Sequence, residues 1–254
     1  MNDLIYAFAG IFFIFFMTCL GSCAVFIKKK RETAKSKNLF LGFAGGVMLA
    51  ASFFSLLIPS FTYSDMLNIS HALPAAGGII LGSIFILVFD IVISKRTKNE
   101  KIDFRDKKLF MAVTIHNIPE GLSVGLTFGL ALSKYQDVTI LSGLIFALGI
   151  GIQNFPEGAA LALPLEDSLN SKKKAFALSC LSGFVEPVFA IIGLLLATKM
   201  VYLMPWSLCF GAGAMIYVII DELIVYTSHA KEKRIINLSF ILGFLLMMIL
   251  DLCF

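Results

Sequence analysis

The sequence predicts an all-α membrane protein of eight transmembrane helices with both termini extracellular, and three observations predict it. Hydrophobic residues fill 58% of the 254 positions against 15% charged, with a mean hydropathy of +0.89, a balance too apolar for a soluble domain. Apolar windows of about 20 residues, the length that crosses roughly 30 Å of hydrocarbon, recur eight times and use nearly the whole chain. Lys and Arg collect in alternate connections between those windows, as cytoplasmic loops require.

The windows lie near 4–27, 39–61 and 74–93, then 108–132 and 138–163, then 175–198, 206–228 and 235–254. They make one domain over 1–254: three helices in 1–93, a cytoplasmic loop at 94–107, two helices in 108–163 and three in 175–254. The first window is read as a retained helix and not a cleaved signal, because residues 1–10 carry no Lys or Arg and the basic cluster follows the apolar run. That cluster is Lys28, Lys29, Lys30, Arg31, Lys35 and Lys37. Seven more basic residues lie in 94–108, then Lys172, Lys173 and Lys174, then Lys231, Lys233 and Arg234. Only Lys134 and Lys199 of the 21 remain for the other side. The alternation checks the eight-span count, since a missed helix would scramble it. A net charge of +4 therefore reports topology in a multi-pass plasma or inner membrane protein and needs no nucleic acid partner.

Prolines and glycines then distinguish the spans. Pro74 and Pro205 fall where the third and seventh helices start, a position that tolerates a missing N–H. Pro119, Pro156 and Pro187 fall inside spans four, five and six, where each removes a hydrogen bond and leaves a spare carbonyl. Helices four and five are expected to be broken at these prolines. A break survives in a membrane only inside the protein or along a wet cavity, so spans four to six line the interior. Gly121, Gly125 and Gly129, and Gly143, Ala147 and Gly151, recur every four residues and let backbones approach closely. The five cysteines (Cys19, Cys23, Cys180, Cys209, Cys253) form no CxxC and are read as packing residues, Cys19 and Cys23 sharing one helix face. His71 and His229 are read as loop residues.

The chemistry concentrates in a doubled pattern. His116-Asn117-Ile118-Pro119-Glu120-Gly121 in span four is matched by Gln153-Asn154-Phe155-Pro156-Glu157-Gly158 in span five. His116 and Glu120 are i, i+4 and Asn117 and Glu120 are i, i+3, so all three face one lumen; Gln153, Asn154 and Glu157 repeat the geometry. Because the two helices run antiparallel, the motifs meet near mid-membrane, and span six adds Ser182-Gly183-Phe184-Val185-Glu186-Pro187. A buried carboxylate is expensive unless a proton, a partner or a metal neutralises it. Three carboxylates, one imidazole and three carboxamides form a mixed N/O set that suits Zn²⁺, Fe²⁺, Mn²⁺ or Cd²⁺. Glu120 and Glu157 are placed to bridge a pair of ions. Asp90 late in span three, and Asp221 with Glu222 in span seven, lie towards the cytoplasmic side and are read as a release station.

At these residues the sequence resembles the ZIP family of divalent metal transporters, its GufA-type branch in particular: eight helices, HNxPEG in span four, QNxPEG in span five and SGxxEP in span six. The resemblance implies uptake of metal, Zn²⁺ above all, into the cytoplasm through a binuclear mid-membrane site. His116, Glu120, Gln153 and Glu157 would form one position, and Asn117, Asn154 and Glu186, sharing Glu120 and Glu157, the other. It also implies a homodimer, release past Asp90, Asp221 and Glu222, an outer entrance near Met48 and Ser52, and an elevator-like shift of inner helices against a scaffold. The transported divalent ion is substrate, and no cofactor is expected. With no GxxxxGK[ST] element the chain is read as a secondary transporter working by alternating access. A metal-selective channel using the same ligands is the alternative. An intramembrane metal-dependent hydrolase is the more distant one, for HExxH is absent.

Overall fold

The computed structural model describes residues 2–27, 34–96, 104–135, 138–224 and 232–253, and it is helical almost throughout. The helices are α1 (Asn2–Ser22), α2 (Ala24–Ile27), α3 (Ala34–Ala51), α4 (Ile58–Met66), α5 (Ala72–Arg96), α6 (Phe104–Leu132), α7 (Ile140–Leu169), α8 (Lys172–Gly183), α9 (Val185–Met200), α10 (Met204–Val218) and α11 (Lys233–Cys253). Each of the eight apolar windows contains helix. Six helical stretches among the described residues are long and apolar enough to cross a membrane: 2–27, 38–66, 72–92, 140–169, 172–221 and 233–253. The fifth of these, 50 residues long, holds α8, α9 and α10 and turns at a 3₁₀ segment, Val201–Leu203. α6 is absent from the set because His116, Asn117 and Glu120 lower its hydropathy; the residues that make it interesting also disguise it.

Several boundaries differ from the sequence reading. The second span is longer than 39–61, because α3 continues through a π-helical segment, Ser52–Leu57, directly into α4. Pro59 follows that segment; its ring would crowd the carbonyl four residues back in a regular helix, and the wider turn relieves this. The loop placed at 94–107 shrinks from both sides, since α5 runs to Arg96 and α6 starts at Phe104; the intervening 97–103 lies outside the described residues. The loop placed at 164–174 shrinks to a tight connection. α7 runs through Pro164 to Leu169 and ends on Asn170 in the left-handed region (φ 48°), and Ser171 then caps α8 by accepting the Lys174 amide. Asn tolerates that backbone because its side chain is short and polar.

The expectation that helices four and five are broken is corrected. α6 and α7 continue uninterrupted across Pro119 and Pro156, since a proline inside a membrane helix loses one bond while neighbouring helices hold the rest in place. The interruption falls in the sixth span, at Phe184 between α8 and α9, three residues before Pro187.

Four helix pairs make the most extensive contacts: α1 with α7, α6 with α9, α3 with α11, and α5 with α10. Small residues explain why they approach so closely. A Cβ at Gly121 or Gly125 would overlap the backbone of Glu186 or Ala190, which makes the glycine stripe of α6 the seam with α9. Gly21 and Gly158 do the same for α1 and α7, Gly46 and Gly243 for α3 and α11, and Gly82 and Gly213 for α5 and α10. α1, α6, α7, α8 and α9 thereby form one group and α3, α4, α5, α10 and α11 a second. They meet chiefly where α10 crosses α6, Gly211 lying against Pro119, and where α3 packs on α7.

Candidate metal centre

The two hexapeptides come together as their spacing predicts. His116, Asn117, Glu120 and Glu186 have no accessible surface, and Gln153, Asn154 and Glu157 at most 1%. Imidazole and carboxylate meet across α6 and α7, with His116 Nε2 3.3 Å from Glu157 Oε1. One ligand atom from each of His116, Glu120 and Glu157 can be chosen so that all lie within 4.8 Å of one another, an arrangement able to hold a metal ion.

The carboxamides fix the carboxylates. Gln153 Nε2 donates to Glu120 Oε1 at 2.6 Å, and Asn154 Nδ2 donates to Glu186 Oε2 at 2.7 Å and to the Ile14 carbonyl at 3.3 Å. Asn117 Nδ2 donates to the Ser182 carbonyl at 3.3 Å, a carbonyl two residues before the α8–α9 interruption. All three amide groups spend their N–H donors on the surrounding helices. Their oxygens, Asn117 Oδ1, Gln153 Oε1 and Asn154 Oδ1, have no hydrogen-bond partner, nor does Glu120 Oε2. A buried acceptor without a partner costs on the order of 1–3 kcal/mol. Four such oxygens beside an imidazole and three carboxyl groups are a set that a cation satisfies and a hydrogen-bond donor network does not.

Thr18 was not read from the sequence. Its hydroxyl donates to Glu186 Oε1 at 3.2 Å, so the Glu186 carboxylate is held on one side by α1 and on the other by Asn154 of α7. The available signal was slight: Thr18, Gly21 and Ser22 sit at i, i+3, i+4 on an otherwise apolar helix, and this is the face α1 turns to α7 and α8. Ser22 Oγ donates to the Thr18 carbonyl and bonds to Ser179 Oγ, each at 2.7 Å.

The more peripheral candidates are less gathered. Met48 and Ser52 are buried, Ser52 Oγ donating to the Met48 carbonyl at 2.8 Å, and Met48 packs in the main hydrophobic core. A different polar pair near them faces a cavity. Ser55 Oγ donates to Asp251 Oδ1 at 2.8 Å while Asp251 Oδ2 has no partner, and both line a hollow of about 320 Å³ with Phe54, Ser142 and Gly149. Asp90 is half-buried on α5, and Asp221 is half-buried on the π segment Ile219–Ile224 that extends α10, the helix paired with α5. The Glu222 side chain and all of His229 lie outside the described residues. His71 is exposed between α4 and α5, its Nε2 2.7 Å from Asp65 Oδ1 and its ring stacked on Phe61.

Comparison with known proteins agrees with this geometry. Residues 94–251 match the family model described as ZIP Zinc transporter. The chain is 33% identical to Zinc transporter GufA of Myxococcus xanthus over 245 residues, covering 92% of this chain and 93% of that protein. It is 30% identical to Zinc transporter ZIP11 of Homo sapiens over 330 aligned positions, covering 96% of each. Zinc transporter ZIPB of Bordetella bronchiseptica is also 30% identical, over 93% of this chain and 77% of its own length. The chain belongs to the ZIP zinc transporter family, in its GufA-type branch.

Proposed function

We propose that this protein imports divalent metal ions, zinc first among them, across a cell membrane into the cytoplasm as a secondary transporter. The observation that carries the reading is the fully buried cluster of His116, Glu120 and Glu157 surrounded by amide oxygens that lack partners. An ion entering it exchanges its water for an imidazole, carboxylates and carbonyl-type oxygens, a set that favours zinc and admits Fe²⁺, Mn²⁺ and Cd²⁺. His116, Glu120, Gln153 and Glu157 hold one ion. Asn117, Asn154 and Glu186, sharing Glu120 and Glu157, hold a second. Ligands of moderate softness without thiolate allow the ion to leave, which transport requires as much as entry.

Eight membrane crossings with both termini outside place the basic connections in the cytoplasm. The division of the helices into two groups supports alternating access: the group with the buried charge shifts against the other, as a secondary transporter with a midplane site does. Entry passes Met48, Ser52 and the Ser55–Asp251 pair, and release passes Asp90, Asp221 and Glu222. The protein works as a homodimer in the bilayer.

Purified protein in liposomes loaded with a zinc indicator tests the reading. Wild type takes up zinc and Glu120→Ala/Glu157→Ala does not. Equal uptake by the double variant would overturn the assignment of the site. Absence of uptake of Zn²⁺, Fe²⁺, Mn²⁺ and Cd²⁺ by folded wild type would overturn the transport reading.

A further inference from the structure

α1 runs antiparallel to α8 and α9, and a ladder of contacts fixes their register. Phe15 meets Phe184 edge to face at 5.7 Å between ring centroids, Ser22 Oγ bonds to Ser179 Oγ at 2.7 Å, and Phe26 meets Phe176 at 5.3 Å. A Cβ at Gly183 would lie 2.9 Å from Thr18 Cβ, so the two backbones approach closely in the middle of the ladder. Moving one turn along α1 from Phe15 and one turn back along α8 from Phe184 brings Cys19 opposite Cys180. The two thiols are near enough to influence each other electrostatically. Both cysteines are free and half-buried. Their neighbours Phe16, Leu20, Leu181 and Phe184 are exposed at 57, 42, 56 and 48%, so the pair sits on the outward face of the bundle and not in its core.

We propose that Cys19 and Cys180 form a reversible disulfide under peroxide, a thiol switch that staples α1 to α8 beside the Glu186 carboxylate. The chemistry balances with hydrogen peroxide as the oxidant. One sulfur attacks a peroxide oxygen, the O–O bond breaks, and a sulfenic acid and one water form. The second sulfur then attacks the first, the S–S bond forms, the S–O bond breaks, and the hydroxyl leaves with the second thiol's proton as another water. Two electrons pass to the peroxide and the protein loses two hydrogens. A dithiol reverses the step. Close backbones suit the linkage, since a disulfide needs its Cβ atoms about 3.5–4.5 Å apart.

The position gives the bridge a consequence. Cys19 is the next residue after Thr18, which donates to Glu186 Oε1. Cys180 precedes by two residues the Ser182 carbonyl that accepts the Asn117 amide, and by four the interruption at Phe184. Stapling here ties α1 to the joint that orients two proposed ligands. This consequence rests on the transport reading; the cross-link itself does not.

The test treats purified full-length protein in liposomes with hydrogen peroxide, blocks remaining thiols by alkylation, and maps the peptides by mass spectrometry. A Cys19–Cys180 peptide that dithiothreitol releases is the expected result, unchanged in Cys23→Ser and absent in Cys19→Ser and Cys180→Ser. Zinc uptake should fall by at least about five-fold on oxidation and return on reduction, while the two serine variants transport zinc and resist peroxide. Thiols of folded wild type oxidised only to sulfinic acid, or a bridge from Cys23 to Cys180, would overturn the pairing. A bridge that leaves zinc uptake unchanged would overturn the switch. A bridge in a protein that transports no metal at all would leave the pairing standing and sink the transport reading.

Discussion

The group of α1, α6, α7, α8 and α9 and the group of α3, α4, α5, α10 and α11 bury polar side chains of different kinds. Among the described residues the first buries His116, Asn117, Glu120, Gln153, Asn154, Glu157 and Glu186, besides hydroxyls; the second buries the serines Ser52, Ser55, Ser60 and Ser64 and the Tyr63 hydroxyl, and no carboxylate, carboxamide or imidazole. Three of those four serines turn back on their own helix, Ser52 to the Met48 carbonyl, Ser60 to Leu57 and Ser64 to Ser60. Ser52 and Ser64 are satisfied within their own helix, while Ser60 also accepts from Cys209 Sγ of α10 at 3.1 Å. The carboxylates and carboxamides of the first group reach across helices instead, from α7 to α6, from α7 to α9 and from α1 to α9. One group is thus a set of helices tied together through a charged centre, and the other is held by close apolar contact. A cation held as proposed would change the energy of the first far more than that of the second.

The largest break in this comparison comes from removing a charge. Glu157→Ala deletes the carboxylate that faces His116 and should lower zinc uptake by at least about 30-fold, because truncating one partner of a buried charged pair costs about 2–5 kcal/mol and each 1.4 kcal/mol is ten-fold. Uptake within three-fold of wild type, measured in the same liposomes at matched protein density, would remove Glu157 from the site.

The next effect is one the two groups should share. Gly125→Ala pushes a methyl group into the Ala190 carbonyl, and Gly46→Ala pushes one into that of Phe240. Each should destabilise by about 1–3 kcal/mol, the usual cost of overpacking, read as a lower melting temperature in detergent. Gly149→Ala is the contrast, since its added Cβ finds Asp251 Oδ1 at 3.5 Å and Ser55 Oγ at 3.8 Å, ordinary contact distances. A melting temperature for Gly125→Ala equal to that of Gly149→Ala would mean that the α6–α9 seam is looser than its geometry.

A smaller effect sharpens the role of α1. Thr18→Val keeps the shape and removes the donor to Glu186, so apparent zinc affinity should weaken by about five-fold, the ~1 kcal/mol scale of one hydrogen bond. Thr18→Ser should restore it. A loss in both would point to packing against Gly183 instead.

The charged centre was legible in the sequence because its residues are conspicuous: Glu, His and Pro inside apolar spans have few other reasons to be there, and helical spacing puts them on one face. The structure gathers His116, Glu120 and Glu157 closely enough to hold an ion and ties Glu186 to Asn154 beside them. Thr18 escaped because threonine is common in membrane helices, and only its depth against α9 gives it a partner. The helix interruption was misplaced for a related reason. Proline marks where a hydrogen bond is missing, but whether the helix stops there depends on the neighbours, and α6 and α7 are held through Pro119 and Pro156 on both sides. The π segment before Pro59 left no trace in the hydropathy pattern, since it changes the turn without changing which residues are apolar. Ser55 and Asp251 are 196 residues apart in the chain, and nothing local joins them.

Tyr63 OH and Thr127 Oγ1, 2.9 Å apart and buried, form a hydrogen bond that crosses from the second group to the first. Tyr63→Phe removes it and keeps the ring, and should change the zinc uptake rate by about two- to ten-fold, the range of one buried hydrogen bond of roughly 0.5–1.5 kcal/mol. Ser64→Ala, one residue further along α4, marks the other end of the scale. The lost bond runs to the carbonyl of Ser60 on the same helix, a carbonyl that the helix backbone already serves, so uptake and melting temperature should both stay within about 0.5 kcal/mol of wild type. The pair isolates what matters about a polar group at this depth, because both side chains are buried on the same short helix and differ in whether the partner belongs to the other group. If Ser64→Ala slowed uptake as much as Tyr63→Phe, the second group would be transmitting changes along its own helices, and the contrast between a charged group that responds and an apolar group that does not would have to be abandoned.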